Sequence, residues 1–512
     1  MSGRPRTPAQ LIAAGHALVA DDPIATSRLQ AIAARLAEPL RVAIAGRVKT
    51  GKSTLLNALL GEEIAPTDTG ECTRIVTWYR YGQVPSVRLV PLDGPPIDRP
   101  VRLVDRRLDL DLAGRAPADI ARIEVTWPAP LLADMTLIDT PGLASLSTEV
   151  SARSEQALIP DDDGIAEVDA ILYLMRHLHA EDAEFLTEFI DRHDLSYTPA
   201  TTIVLLGRAD EVGGGRIDTM IAAERVASRY RDDPAVRRMC LDVIPVAGLL
   251  AQGAATLRQK EFDALAHLAS LDREAREALL VSTDHFASAS LGPSTPAPPE
   301  LRASLVRRLG VFGIRLATAL IRGGVDAATP LSEALLRHSN VHHVTTTTTA
   351  YLASRSEALR ARNALLALHL LLDDYPTDAA RDLQAAVTTA LRGATEPEEL
   401  LALVTLRGQP PHSLTRAQIT EAERLLGGSG THPWRRLGVA RSSPADTLDR
   451  VAIEAIRDWR GVQADPAQTS AAATVAGTVI RTLEALLASM REGQESPVQV
   501  GADGTTSSPT AP

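Results

Sequence analysis

The chain has 512 residues, 45% of them hydrophobic but only 3% aromatic, with a net charge of −11 and two cysteines, Cys72 and Cys240. That length and apolar content exclude a largely disordered chain and leave room for two to four domains with cores of Leu, Ala, Val and Ile. The acidic balance gives no broad electrostatic footprint for nucleic acid, and two cysteines without C-x-x-C spacing exclude a disulfide framework and point to the reducing cytoplasm.

The chain begins with a polar, proline-interrupted stretch unlike a signal peptide. Thr7-Pro8 and Asp22-Pro23 each join a capping side chain to a proline at the first helical position, which predicts two helices over 7–39. Their apolar faces carry Leu11, Ile12, Leu18 and Val19, then Leu29, Ile32, Leu36 and Leu40. At Arg41 the pattern changes to a short buried strand, 41–45, then a glycine-rich loop and a helix through Leu60. Further strands are predicted at 74–81, 87–91, 123–127, 136–139, 170–176, 202–207 and 243–246, with helices at 181–192 and 217–230 between them. Strands alternating with helices predict an α/β domain with a doubly wound sheet.

After about Leu249 the strand signal ends and helical periodicity takes over, cut by Gly/Pro-rich breaks near 291–299, 322–329, 407–411 and 427–433. Residues 341–373 read as one long helix, weakest at the threonine run 345–349. Residues 309–321 are apolar around Arg315 and flanked by arginines, and read as a core helix in preference to a membrane-interface helix. No run of about 18 uncharged apolar residues is present, so no spanning helix is expected. The tail beyond residue 493 is Gly, Ser, Thr and Pro and is expected to be disordered.

Chemistry concentrates in the loop Gly46-Arg47-Val48-Lys49-Thr50-Gly51-Lys52-Ser53, followed by Thr54. Glycines at this spacing between a strand and a helix let backbone amides wrap phosphates, with Lys52 reaching the β- and γ-phosphates and Ser53 ligating magnesium. Of 53 basic residues only Lys49, Lys52 and Lys260 are lysines, and two of the three sit in this loop. A compact ammonium pointed at phosphate is not replaceable there by a planar guanidinium.

Asp139-Thr140-Pro141-Gly142 follows an apolar strand, as in a GTPase whose Asp holds magnesium through water and whose Gly amide senses the γ-phosphate. Gly207-Arg208-Ala209-Asp210 partly matches a guanine-reading motif: Asp210 would accept two hydrogen bonds that adenine does not offer, while Gly207 and Arg208 replace the usual Asn/Thr and Lys. Val246-Ala247-Gly248 would supply the amide that meets the guanine oxygen. Among Thr67, Thr69 and Thr73, the last is taken as the magnesium-binding switch threonine, because the others sit in the turn 66–70. Asp161–Asp163 reads as a solvated loop, and His177, His179, His342 and His343 lack metal-ligand spacing.

With helices before the nucleotide loop, a gap of 87 residues between Lys52 and Asp139 and a long helical region afterwards, the chain resembles the bacterial dynamin-like proteins, and within them the isoniazid-inducible branch. The resemblance is carried by APTDTGECTRIVTWYRYG (65–82), LIDTPG (137–142), EVDAILYLMR (167–176), GRADEVGGGRID (207–218) and VFGIR (311–315). It implies N-terminal helices (1–40) that join a helical neck and trunk (251–493), a dynamin-type GTPase domain (41–250) and a tail (494–512). It also implies GTP and GDP binding, hydrolysis with Mg2+, and conformational coupling to the trunk. Peripheral contact with anionic membrane at the inner face of the plasma membrane is implied too, with remodelling or maintenance of that membrane and drug tolerance. The partners it implies are a second copy in a nucleotide-dependent homodimer or a related dynamin-like protein. One departure is visible: eukaryotic dynamins carry Gln-Ser where this chain has Val48-Lys49. Val48 orients no water, whereas Lys49 brings a positive charge of its own, so slow or partner-stimulated hydrolysis is expected. A GTP-gated scaffold with little hydrolysis, and an ATPase with an incidental Arg-Ala-Asp, are the alternatives.

Overall fold

A computed structural model describes residues 6–47, 49–65, 75–104, 107–140, 168–177, 186, 201–237, 239–290, 295–393, 395–408, 410–428 and 430–494. Its contacts divide the chain into two units, residues 1–404 and 405–512.

The first unit opens with α1 (Pro8–His16) and α2 (Pro23–Arg35). Thr7 and Gln10 form a reciprocal capping box at α1, and Asp22 accepts from the Ile24 and Ala25 amides at α2, each cap satisfying amides that the helix leaves unpaired. Leu11, Ile12, Leu29 and Ile32 pack with Leu365, Leu368, Leu383 and Val387 of the helices Ser356–Asp373 and Asp378–Gly393. The Tyr375 hydroxyl donates to Asp22 at 2.7 Å.

Among the described residues, nine strands form one sheet in the order β11-β10-β9-β1-β8-β2-β7-β3-β4. They are β1 (Leu40–Gly46), β2 (Thr77–Tyr81), β3 (Ser86–Pro91), β4 (Ile97–Arg99), β7 (Ile120–Trp127), β8 (Met135–Asp139), β9 (Ala170–Met175), β10 (Thr202–Leu206) and β11 (Asp242–Pro245), with a separate hairpin of β5 (Arg102–Val104) and β6 (Arg107–Asp109). β1 runs parallel to both neighbours, β8 and β9, whereas β2 is antiparallel to β8 and β3 is antiparallel to β7. The sheet is therefore mixed. β1, β8, β9 and β10 are buried almost throughout, which explains why they read as continuous apolar runs. All eight predicted strands are present with ends shifted by a few residues; β4 and the hairpin are too short and polar to have shown in the pattern.

At the base of the sheet, Arg35 of α2 donates to both oxygens of Asp169 at 2.9 Å. The same carboxylate accepts from the Arg41 amide and from the Asn363 side chain, each at 2.8 Å. A fully buried carboxylate is tolerable because every one of these donors is present. The arrangement ties the N-terminal helices, the start of β1 and the helix Ser356–Asp373 to one point.

Residues 341–373 do not make one helix. The threonine run is helical in Val341–Tyr351, and the break comes after it, at the short turn Ala353–Arg355, before Ser356–Asp373 begins. The hydroxyls of Thr345, Thr346 and Thr348 donate back to carbonyls one turn earlier, a bond that lets a helix accommodate threonine. Leu309, Phe312, Ile314 and Leu316 of the helix Pro299–Arg322 are buried in the core, as the core reading of 309–321 expects.

The second unit contains the helices Arg416–Leu425, Pro433–Leu437, Ala445–Ala464 and Ser470–Gln494. Trp459 is fully buried there. One correction concerns membranes: Ser470–Arg491 is long and apolar enough to cross one by length and composition, despite its charged residues. It packs along Ala445–Ala464, and 61% of its apolar window is buried within the protein, as in the core helix of a folded bundle.

Candidate functional site

β1 ends at Gly46, where φ is 140° and an added Cβ would lie 2.1 Å from the Leu174 carbonyl oxygen of β9. Only glycine fits that approach. The chain then turns back on itself. Lys49 takes a left-handed φ of 65°, the Thr50 hydroxyl donates to the Arg47 carbonyl at 2.7 Å, and Gly51 at φ 103° opens helix α3 (Lys52–Leu60). The loop therefore rests on a helix N-terminus, where unpaired amides and the helix dipole favour an anion.

Lys52 Nζ donates to the Gly46 and Arg47 carbonyls at 3.0 and 3.2 Å, which holds the ammonium within the loop. Burial lowers its pKa, and the charge of Asp139 opposes that shift. Asp139 closes β8, where the nearby Ser53 hydroxyl favours its ionised form. Burial nevertheless pushes its pKa up to about 6 against the pull of Lys52 and Ser53. A carboxylate and a hydroxyl at one spot beside a lysine are hard oxygen donors of the kind magnesium takes, and one carboxylate suffices when phosphates complete the shell.

The other end of the cleft is built by the loop after β10. Gly207 donates its amide to Met175 O at 2.8 Å, and a Cβ there would meet the Thr50 carbonyl and the Leu174 side chain at 3.0 Å. Glycine thus lets this loop lie directly on the phosphate loop, a steric reason for the departure from Asn or Thr. Arg208, at φ 53°, pairs with Glu211 at 3.0 Å, and Glu211 pairs with Arg176 at 2.7 Å. Asp210 is only 6% exposed, and among the described residues nothing donates to its Oδ1. Burial raises its pKa to about 6. An oxygen so placed lacks the donor that normally compensates such burial, and a guanine edge offers two.

Thr50, Thr54, Leu174, Arg208, Asp210 and Leu249 line the cleft between the two loops. One expectation about its far wall needs correction. Val246 lines the cleft, but its amide is given to Leu206 O and that of Ala247 to Ser339 O, both at 3.0 Å. Neither amide is left to meet a base. Gly248 remains: it lines the cleft and opens the helix Gly248–Ala255, whose first-turn amides have no partner within the helix. Val48, Thr73 and Gly142 lie outside the described residues, as do Cys72, Thr67, Thr69, Asp161–Asp163 and His179.

The dynamin family profile matches residues 42–208, the stretch from β1 through the base-side loop. Isoniazid-induced protein IniC of Mycobacterium tuberculosis is 38% identical over 467 residues, which cover 90% of this chain and 92% of that protein. The chain belongs to the bacterial dynamin-like GTPases. Isoniazid-induced protein IniA of the same organism is 29% identical over 293 residues, 56% of this chain and 43% of that one. A solved structure of an oligomerised bacterial dynamin pair aligns with 96% of this chain and 75% of its own, at 13% identity and a TM-score of 0.35.

As a dynamin-like GTPase the protein binds GTP and GDP and hydrolyses GTP. The structure brings Gly46, Lys49, Thr50, Gly51, Lys52, Ser53, Thr54 and Asp139 to one end of the cleft, and Arg208 and Asp210 to the other. Leu174 and Leu249 were missed by sequence reasoning, since an apolar wall residue carries no motif. The core reading of 309–321 carried no sign that the helix Pro299–Arg322 reaches Asp210: Gly310 sits where a Cβ would be 3.5 Å from Oδ2.

Proposed function

We propose that GTP binds with its phosphates in the loop from Gly46 through Val48, Lys49, Thr50 and Gly51 to Thr54 and its guanine against Asp210. Ser53, Thr73 and Asp139 hold magnesium in this reading, and the Gly142 amide senses the γ-phosphate. The ion supplies neutralisation of charge developing on the transferring phosphoryl group. Lys52 adds an ammonium charge, moving from the loop carbonyls to phosphate oxygens, and Arg208 flanks the base. Val48 provides no group to orient the attacking water, and Lys49 brings a cation without one, so hydrolysis is slow or stimulated by a partner. The observation that carries the reading is a buried Asp210 carboxylate, one oxygen of which has no donor among the described residues, in the same cleft as the glycine loop. Thr73→Ala tests the magnesium assignment: GDP binding is retained and phosphate release from GTP is lost. Release at the wild-type rate moves the switch threonine elsewhere, with Thr69 next.

We further propose that residues 41–250 act as the GTPase head and that the N-terminal helices join a helical neck and trunk within 251–493. Nucleotide-driven movement of that trunk serves plasma-membrane remodelling or maintenance and drug tolerance. The similarity to two isoniazid-induced proteins supports this reading. The protein then acts as a peripheral protein at the inner face of the membrane, as a homodimer or paired with an IniA-like relative. Because Phe312 and its neighbours are core residues, attachment falls to another part of the helical region. Full-length protein with GTP is expected to sediment with anionic vesicles, and failure to do so at any salt concentration contradicts the membrane role.

A further inference from the structure

The helix Pro299–Arg322 is broken at Gly310, where φ is 66° and ψ is 175°. Residues other than glycine scarcely occupy that region. Three observations place the segment after the break against the base-side loop, and a fourth seats the helix on its neighbour Gly248–Ala255. Asp210 Oδ2 lies 3.5 Å from where a Gly310 Cβ would sit. A Cβ on Gly215 would lie 3.3 Å from the Phe312 amide nitrogen. Arg315 Nη1 donates to the Gly215 carbonyl at 3.0 Å, while its Nη2 reaches Glu277 at 3.4 Å. Finally, Cβ atoms on Gly253 and Gly313 would come within 2.2 Å of the Arg308 carbonyl and 2.9 Å of the Leu250 side chain, so the broken helix is seated tightly on Gly248–Ala255.

We infer that the segment Val311–Arg322 is a positioning element for the guanine-reading carboxylate: the break at Gly310 sets its N-terminal turn behind Asp210, and Arg315 latches the glycine turn that follows. This rests on the reading of Asp210 as the base-reading group. Among the described residues nothing donates to Asp210 Oδ1, so its own loop leaves that oxygen unheld. Two parallel hydrogen bonds to a guanine edge demand a fixed orientation. The positive end of a helix segment behind the carboxylate also favours its ionised, accepting form. Base occupancy and the seating of this helix are thereby linked.

The readout is the ratio of GDP to IDP affinity in the full-length protein, because inosine lacks only the 2-amino group that Asp210 would meet. Gly310→Ala and Arg315→Met are each expected to cut that ratio about fivefold or more, with IDP affinity falling less than GDP affinity because hypoxanthine keeps only the N1–H donor. Asp210→Asn is the reference and should bring the ratio close to one. If Gly310→Ala does not fold, Arg315→Met alone decides the matter. Equal weakening toward GDP and IDP, or wild-type ratios in both variants beside a collapsed ratio in Asp210→Asn, overturns the positioning role and leaves base reading intact. A wild-type ratio in Asp210→Asn overturns the base reading itself, and this inference with it.

Discussion

The two ends of the cleft solve the problem of holding a charged ligand by different means. At the phosphate end the structure is local: one loop of eight residues, closed by its own carbonyls, places Lys52, Ser53 and a helix N-terminus together. At the base end a single carboxylate is carried by a loop that leans on the Thr50 carbonyl in front and on the helix Pro299–Arg322 behind. The first end is specified by short-range geometry and the second by packing between elements far apart in the chain. Damage at the phosphate end should therefore abolish binding of every nucleotide, whereas damage at the base end should alter which nucleotide is chosen.

The largest effect is expected at Gly46. Alanine there collides with the Leu174 carbonyl and must hold φ near 140°, so thermal or denaturant unfolding should show a loss of about 3 kcal/mol or more. Lys52→Ala comes next, with a folded protein whose affinities for GTP, GDP and ATP fall together by roughly a hundredfold in calorimetric titration. A fall confined to GTP would break the comparison, since it would give this end a part in base choice.

Asp210→Asn should narrow the preference for GDP over ADP by about tenfold while leaving binding through the phosphates in place. It should also stabilise the nucleotide-free protein. Between the ordinary value of 3.8 and about 6 the folded chain keeps a proton on Asp210 that the unfolded chain has released. Stability therefore falls as pH rises through that window and stays lower above it. The variant escapes this loss, so it should gain about 1–3 kcal/mol at pH 7.5 and nothing at pH 3.5. The smallest effect is the pH dependence of binding itself. Asp139 and Asp210 must both be ionised to engage a metal ion and a base, and both titrate near 6. GDP affinity with magnesium should therefore weaken several-fold between pH 7.5 and 5.5.

The same contrast governs what the sequence could disclose. Gly46 to Ser53 was readable because glycine spacing, a preceding buried strand and the placement of two of three lysines are all properties of consecutive residues. The strand order was only partly readable: β1, β8, β9 and β10 are buried on both faces and stand out as apolar runs, while β4, three residues long, offers no periodicity. Gly207 looked like a defect in the guanine motif until the Thr50 carbonyl was seen 3.0 Å from its absent Cβ. Ala247 follows a strand, as a base-contacting amide should, yet its amide is taken by Ser339, a partner that only the folded chain supplies. The threonine run, expected as the weak point of one long helix, is helical because its hydroxyls bond back to the preceding turn, and the chain breaks beyond Tyr351 instead.

Phosphate release from GTP and from ATP, measured side by side with magnesium and with Lys52→Ala as the control, tests the central claim most directly. The account predicts slow release from GTP, little from ATP, and none above background in the Lys52→Ala protein or after magnesium is chelated. Equal release from ATP, or undiminished release by Lys52→Ala, would contradict it.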